Sequence, residues 1–256
     1  MQCAILPNPS LPAALILRDE IAARLDQIGA EHTDTLTRQT DIVITVGGDG
    51  TVLRAQGCGK PILGVHAGTV GFLTEIDRTE LDLLSRLPSG DYRIQERMRL
   101  CAELSGAMSG AAGTCLNEIA LTAPPESRHR RCVKITAFAD GKPFAEYTGD
   151  GIVFATPTGS TGYSLSAGGA VLDPSFAAIL LTPLYSHTLD AKPLVFSPES
   201  ELSVVSRETL AVTADGGKPM TLPPGETLTI RRSPEPARFI LLKETPFAAR
   251  LQRLRF

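Results

Sequence analysis

The sequence predicts two dissimilar halves, an α/β domain up to about residue 94 and then a β-rich, sandwich-like domain. Three observations carry this. Residues 42–46 and 61–65 are apolar runs without polar alternation, as in strands covered on both faces of a parallel sheet. Leu17, Ile21, Leu25 and Ile28 recur at helical spacing before them. Beyond residue 94, short alternating segments punctuated by Gly and Pro take over, as in an antiparallel sandwich.

In chain order, residues 3–6 form a first short strand, stopped by Pro7-Asn8-Pro9. The helix that follows ends at Gly29, a residue suited to the left-handed C-terminal turn. Strands at 42–46 and 61–65 come next. Thr79, with acidic Glu80 and Asp82 after it, opens a short helix ending near Leu87-Pro88. In the second half, strands are expected at 99–104, 116–122 and 133–138. Asp140-Gly141, between Phe138 and Phe144, is a two-residue hairpin signal. Further strands are expected at 152–155, 179–182, 194–196, 210–213, 228–231 and 239–242. Residues 245–256 read as a closing helix with Pro246 near its first turn.

Composition narrows the function. A net charge of -3 over 256 residues argues against a nucleic-acid binder, and no apolar run has the length to cross a bilayer. The start, MQCAILPNPS, lacks a basic n-region followed by an apolar core, so no signal peptide and a cytoplasmic location are expected. Cys3, Cys58, Cys101, Cys115 and Cys132 are dispersed, with no C-x-x-C pair. They read as buried, reduced thiols rather than a zinc site, redox pair or nucleophile.

Two loops carry the chemistry. In the first, the strand at 42–46 runs into Gly47-Gly48-Asp49-Gly50-Thr51. Glycines let backbone N–H groups approach a phosphate, and a helix opening after them favours negative charge. A carboxylate there is a candidate to orient a hydroxyl or hold a metal. The loop is neither a dinucleotide fingerprint, since position 53 is leucine, nor a P-loop. In the second, Asp150-Gly151 and an apolar strand lead to Thr156-Pro157-Thr158-Gly159-Ser160-Thr161-Gly162-Tyr163. Six hydroxyls between Thr156 and Ser166 can both donate to and accept from a sugar or base edge, and Tyr163 can stack on a ring. No Gly-x-Ser-x-Gly is present, so Ser160 is no nucleophile.

With Asn117-Glu118 between these loops, the order of motifs resembles the NAD kinase family of bacterial type, and stretches such as Gly64-Val-His-Ala-Gly68, Leu165-Ser-Ala-Gly-Gly169 and Asp215-Gly216 extend the likeness. Gly-Gly-Asp-Gly alone is shared with diacylglycerol and sphingosine kinases and phosphofructokinases. Asn117-Glu118 with the second loop is the specific part. The resemblance implies an N-terminal Rossmann-like α/β domain (1–94 plus 243–256) and a C-terminal β-sandwich-like domain (95–242), with the C-terminal helix returning to the first. It implies phosphorylation of the 2'-hydroxyl of the adenosine ribose of NAD, with ATP or polyphosphate as donor, to give NADP. Asp49 then holds the catalytic role, and Gly47, Gly48, Gly50 and Thr51 bind phosphate. Phe72, Asn117, Glu118, Asp150, Thr158, Thr161, Tyr163 and Asp215 surround NAD. A divalent cation, most simply Mg²⁺, would come with the nucleotide, with no protein metal ligand. A homodimer or homotetramer is implied.

Three positions depart from the family pattern: Thr148 for a common Arg, His66 for Asn, and Gly162 for Ala. The basic run Arg128-His129-Arg130-Arg131, with Lys134, reads as a solvated loop or as a replacement for the charge missing at Thr148. Two rival readings stand beside NAD kinase. One is a lipid or sugar kinase using the same Gly-Gly-Asp-Gly loop, and the other is a dinucleotide sensor without turnover.

Overall fold

The apolar run at 42–46 lies at the centre of a parallel sheet, where every residue of its strand is buried. The computed structural model describes residues 1–68, 71–106, 110–125, 132–187 and 190–252. One compact unit comprises Met1–Glu96 and the segment from Ala237 onward. Its elements are β1 (Gln2–Pro7), α1 (Pro12–Gln27), β2 (Glu31–Thr33), β3 (Ile42–Gly47), α2 (Asp49–Ala55), β4 (Ile62–His66), β5 (Ile76–Asp77) and β6 (Arg93–Arg97). The sheet order is β2-β1-β3-β4, then the late strand Ala237–Leu241, then β6, with β5 beside β4. β1, β3 and β4 pair in parallel. Leu17, Ile21 and Leu25 of α1 share one apolar core with Ile44, Val46 and Val65.

Two expectations change in this unit. The turn after β5 is a 3-10 helix, Arg78–Arg86, and its cap is Asp77 rather than Thr79. Asp77 Oδ1 accepts the Thr79 N–H at 2.8 Å, while Glu80 returns to the Asp77 N–H at 3.2 Å. A carboxylate closes this capping box from two residues before the hydroxyl. The strand expected at 239–242 joins the parallel sheet, where Phe239 pairs with Ile62. Buried Phe239-Ile240 breaks the alternation of a sandwich strand and suits a doubly covered sheet. The closing helix is Phe247–Leu251, preceded by Pro246, and its expected continuation over 253–256 lies outside the described residues.

The second unit, Arg97–Pro236, holds twelve described strands in two sheets. They are β7 (Leu100–Ser105), β8 (Gly110–Cys115), β9 (Glu118–Thr122), β10 (Val133–Ala139), β11 (Lys142–Gly149), β12 (Gly151–Ala155), β13 (Ile179–Leu184), β14 (Leu194–Phe196), β15 (Leu202–Ser206), β16 (Leu210–Ala214), β17 (Met220–Leu222) and β18 (Thr227–Arg232). One sheet runs β11-β10-β15-β18-β7-β8, the other β14-β13-β12-β9-β16-β17. Alternating residues such as Leu100, Ile135 and Val204 of the first meet Ile119, Phe154 and Val212 of the second in one core. Asp140 (φ 49°) and Gly141 (φ 75°) form the hairpin turn between β10 and β11. The strand expected over 116–122 is broken at Leu116-Asn117, whose N–H groups bond to Asp215 instead of a neighbouring strand.

Candidate active site

In the first unit, the end of β3 turns into α2 through Gly47 and Gly48. Gly47 has φ 155°, and a Cβ there would lie 2.4 Å from Thr51 Oγ1. Only glycine fits, because the Thr51 side chain is buried beneath the turn. Gly48 and Gly50 face open space, with nothing within 4 Å of a Cβ position, so a ligand could approach their backbone closely. Asp49 heads α2. Its two oxygens accept the Phe72 N–H and the Leu73 N–H, each at 2.9 Å. A Cβ on Gly71 would lie 2.0 Å from Asp49 Oδ1, so that segment meets the carboxylate at backbone distance. His66, buried behind the turn, places Nδ1 3.0 Å from the Gly68 nitrogen and 3.3 Å from the Gly47 carbonyl oxygen.

In the second unit, Asp215 takes a left-handed conformation (φ 48°), and its carboxylate accepts the N–H groups of Leu116, Asn117 and Glu118 at 2.8, 2.8 and 3.2 Å. The loop is locked from the other side by Thr156. Its Oγ1 donates to the Leu116 carbonyl at 2.5 Å and its N–H to the Asn117 carbonyl at 2.9 Å. Gly159 packs so closely that a Cβ would lie 2.0 Å from the Asn117 oxygen. Thr158 is buried, and Thr161 bonds back to the Thr158 carbonyl at 3.3 Å. α3 (Tyr163–Ser166) follows, with Tyr163 exposed, as is Asp150.

Two buried acceptors, Asn117 Oδ1 and Glu118 Oε2, have no donor among the described residues. Burial is the main cause that raises the Glu118 carboxyl to about 7, with the Asp215 charge second, while the Tyr163 N–H opposes both. Burial likewise raises Asp215, against the pull of its three N–H donors. The Tyr163 phenol is raised by burial and by the charges of Asp150, Tyr185 and Glu118. A buried acceptor pair without donors beside a hydroxyl-lined turn suits a ligand that brings its own hydroxyls.

Residues 19–92 match the family model of the ATP-NAD kinase N-terminal domain, and residues 116–242 that of the ATP-NAD kinase C-terminal domain. A curated NAD kinase of Gemmatimonas aurantiaca is 40% identical over 87% of this chain and 80% of its own length. One from Leifsonia xyli subsp. xyli is 39% identical over 92% of this chain and 81% of its own. The chain belongs to the NAD kinase family. It is an enzyme, a phosphotransferase acting on NAD. An Archaeoglobus fulgidus NAD kinase solved with ATP has a TM-score of 0.82 at 28% identity, with 100% of this chain and 99% of that chain covered. The yeast NADH kinase solved with NADH shares the fold, with a TM-score of 0.87 at 23% identity, covering 99% of this chain and 87% of that one.

Within this NAD kinase, Thr148 sits in β11 opposite Lys134, and Lys134 is paired with Glu146 at 2.8 Å. Arg128, His129, Arg130 and Arg131 lie outside the described residues, as does Thr188. The cysteines are all unpaired, but only Cys3 and Cys115 are buried; Cys58 and Cys101 are half-buried and Cys132 is exposed. Burial raises the thiols of Cys3, to about 11, and of Cys115. The sequence reading missed Glu75 and Arg250, a buried ion pair at 2.9 Å behind Phe72. Their separation of 175 positions leaves no local signal. No three His, Cys, Asp or Glu side chains gather as a metal cage among the described residues.

Proposed function

We propose that this NAD kinase transfers the γ-phosphoryl group of ATP to the 2'-hydroxyl of the adenosine ribose of NAD, giving NADP. The observation that carries the reading is the buried acceptor pair of Asn117 Oδ1 and Glu118 Oε2, without donors of its own among the described residues, next to the Thr158–Thr161 turn. Ribose hydroxyls supply the donors that pair lacks. Asp215 fixes the loop that presents it, and Thr158, Thr161, Tyr163, Asp150 and Phe72 complete the NAD contacts.

A ribose hydroxyl is too weak an acid for a carboxylate to ionise in advance. Phosphoryl transfer has a loose transition state and depends on alignment and charge stabilisation. Asp49, held by two N–H donors, points the hydroxyl at the γ-phosphorus and takes its proton late. Gly48 and Gly50 offer the open backbone face to phosphate, while Gly47 and Thr51 hold the turn. A divalent cation, most simply Mg²⁺, offsets phosphate charge when bound. Magnesium commonly keeps its waters and substrate phosphates as ligands, so the cation would come with the nucleotide.

The unpaired thiols suit a reducing, cytoplasmic setting. Among the described residues, no helix is long and apolar enough to cross a membrane. Exposed Leu194 and Val195 on the edge strand β14, with Phe176, are surface a second copy would cover, in line with a homodimer or homotetramer.

The test is NADP formation from NAD with Mg²⁺ and either ATP or polyphosphate. Asp49→Asn is expected to fold normally and to lose ~10²–10⁴ in kcat, the scale of a lost proton acceptor. Near-parent turnover would remove Asp49 from the chemistry. NAD binding without product from either donor would mark a sensor, and failure to bind NAD would overturn the acceptor.

A further inference from the structure

The peptide group between Phe72 and Leu73 is bonded at both ends. Its N–H, that of Leu73, donates to Asp49 Oδ1 at 2.9 Å. Its C=O, that of Phe72, accepts from Arg250 Nη1 at 3.2 Å. Arg250 also binds Glu75 Oε2 at 2.9 Å, and this pair is buried, with side-chain exposures of 11% and 3%. The other oxygen of Glu75 accepts the N–H groups of Leu242 and Lys243, both at 3.1 Å.

We propose that Arg250, held by Glu75, is a positioning residue for the Asp49 carboxylate, acting through the Phe72–Leu73 peptide. This rests on the reading of Asp49 as the proton acceptor. A peptide is planar, so fixing its oxygen fixes the direction of its N–H. A guanidinium on the carbonyl also polarises the group and makes the N–H a stronger donor to the carboxylate. The segment has little other freedom. A Cβ on Gly64 would lie 2.9 Å from the Leu73 oxygen, and the Glu75 N–H bonds to the Gly64 carbonyl at 2.8 Å, so β4 backs the chain directly. The β4 side is therefore set by backbone packing, and Arg250 sets the carbonyl end.

A residue that only staples the terminal helix would change stability. A positioning residue changes turnover, and does so only while Asp49 is present. The experiment is a double-mutant cycle on the intact chain, with Arg250→Met (which keeps the aliphatic stem), Asp49→Asn and the double variant. Thermal unfolding is recorded on each preparation.

Arg250→Met is expected to lower kcat about 10- to 100-fold with the KM for NAD and for ATP within about 2-fold, as a small misplacement of a reacting group does. In the Asp49→Asn background the same change should cost less than about 3-fold, because the two act as one unit. Arg250→Lys, which returns a cation to the carbonyl, should recover part of the loss. Equal losses in both backgrounds, an effect confined to KM, or unchanged kcat would overturn the proposal. Parent-level turnover of Asp49→Asn would instead overturn the reading beneath it. Should Arg250→Met not fold, the cycle runs with Arg250→Lys, whose smaller loss must again vanish beside Asp49→Asn.

Discussion

Glu118 is a carboxylate with one oxygen kept from water and without a donor among the described residues, so the folded chain prefers it protonated over an unusual range. Its folded value is raised to about 7 from an ordinary 4.5, chiefly by burial. Between those values the unfolded chain has released the proton while the folded chain keeps it. Stability therefore falls as pH rises from about 4.5 to about 7 and levels off above, at no more than about 1.4 kcal/mol per pH unit for one proton. Asp215 is raised in the same direction and adds slope of the same sign. Glu118→Gln is expected to flatten this region in urea melts of the ligand-free protein while weakening NAD binding. A slope unchanged in the variant would mean that Glu118 ionises normally in the folded state. At this scale Asp49 was legible as a candidate from its own loop, whereas Asn117 and Glu118 entered only through a resemblance. Asp215 entered in the same way, and its work as a clamp on three N–H groups spans about a hundred positions.

Two glycines in the turn after β12 differ in how closely a side chain would meet its neighbours. Gly159 lies against the backbone of Asn117, and a Cβ would come within 2.0 Å of an oxygen that is itself bonded to the Thr156 N–H. Gly159→Ala must push the two loops apart, at about 1–3 kcal/mol for an overpacked site, with NAD affinity falling as Asn117 moves. Gly162 has φ -96° and ψ -129°, and its Cβ would meet Glu118 Oε2 at 3.0 Å and the Gly159 carbonyl oxygen at 3.3 Å. Gly162→Ala, the residue more usual in the family, is expected to cost less than Gly159→Ala, because the oxygens it meets need yield by only a few tenths of an ångström. Thermal melts of the pair test this, and an equal effect of both would refute it. Burial also governs what the sequence revealed of the elements. β3 and β4 were legible because burial on both faces forces continuous apolar runs. β6, Arg-Ile-Gln-Glu-Arg, was missed because a mostly exposed edge strand needs no apolar face. β17 was missed because three residues cannot show a period. β15 was overlooked although Leu202, Val204 and Ser206 alternate inward, since an apolar Val205 on the outer face and a polar Ser206 on the inner one blur its contrast.

The whole chain is one domain interrupted by another. It leaves the parallel sheet at β6 and returns at the strand Ala237–Leu241, which sits in the sheet between β4 and β6. The inserted unit is closed at its own base. β7 pairs with β18 so that Leu100 faces Arg232, and the Ser233 N–H bonds to the Arg99 carbonyl at 2.8 Å. Exit and return therefore run side by side. Residues 1–96 alone lack the strand that joins β6 to the sheet and the apolar residues Ile240 and Leu242 of its core. They also lack Arg250, the partner of buried Glu75, and an uncompensated buried charge typically costs about 3–5 kcal/mol. Residues 1–96 alone are expected to bind hydrophobic dye and melt without cooperativity. A chain in which a short Gly/Ser linker joins residue 96 to 237 should melt cooperatively, because the missing strand is restored and the gap is short. Residues 97–236, with both sheets and their shared core intact, should melt cooperatively as a separate polypeptide. Circular dichroism against temperature on the three polypeptides decides the matter. Cooperative unfolding of 1–96 alone would show that the returning strand decorates the sheet rather than completing it, and disorder in the linked chain would show that the insertion is needed to hold its host together.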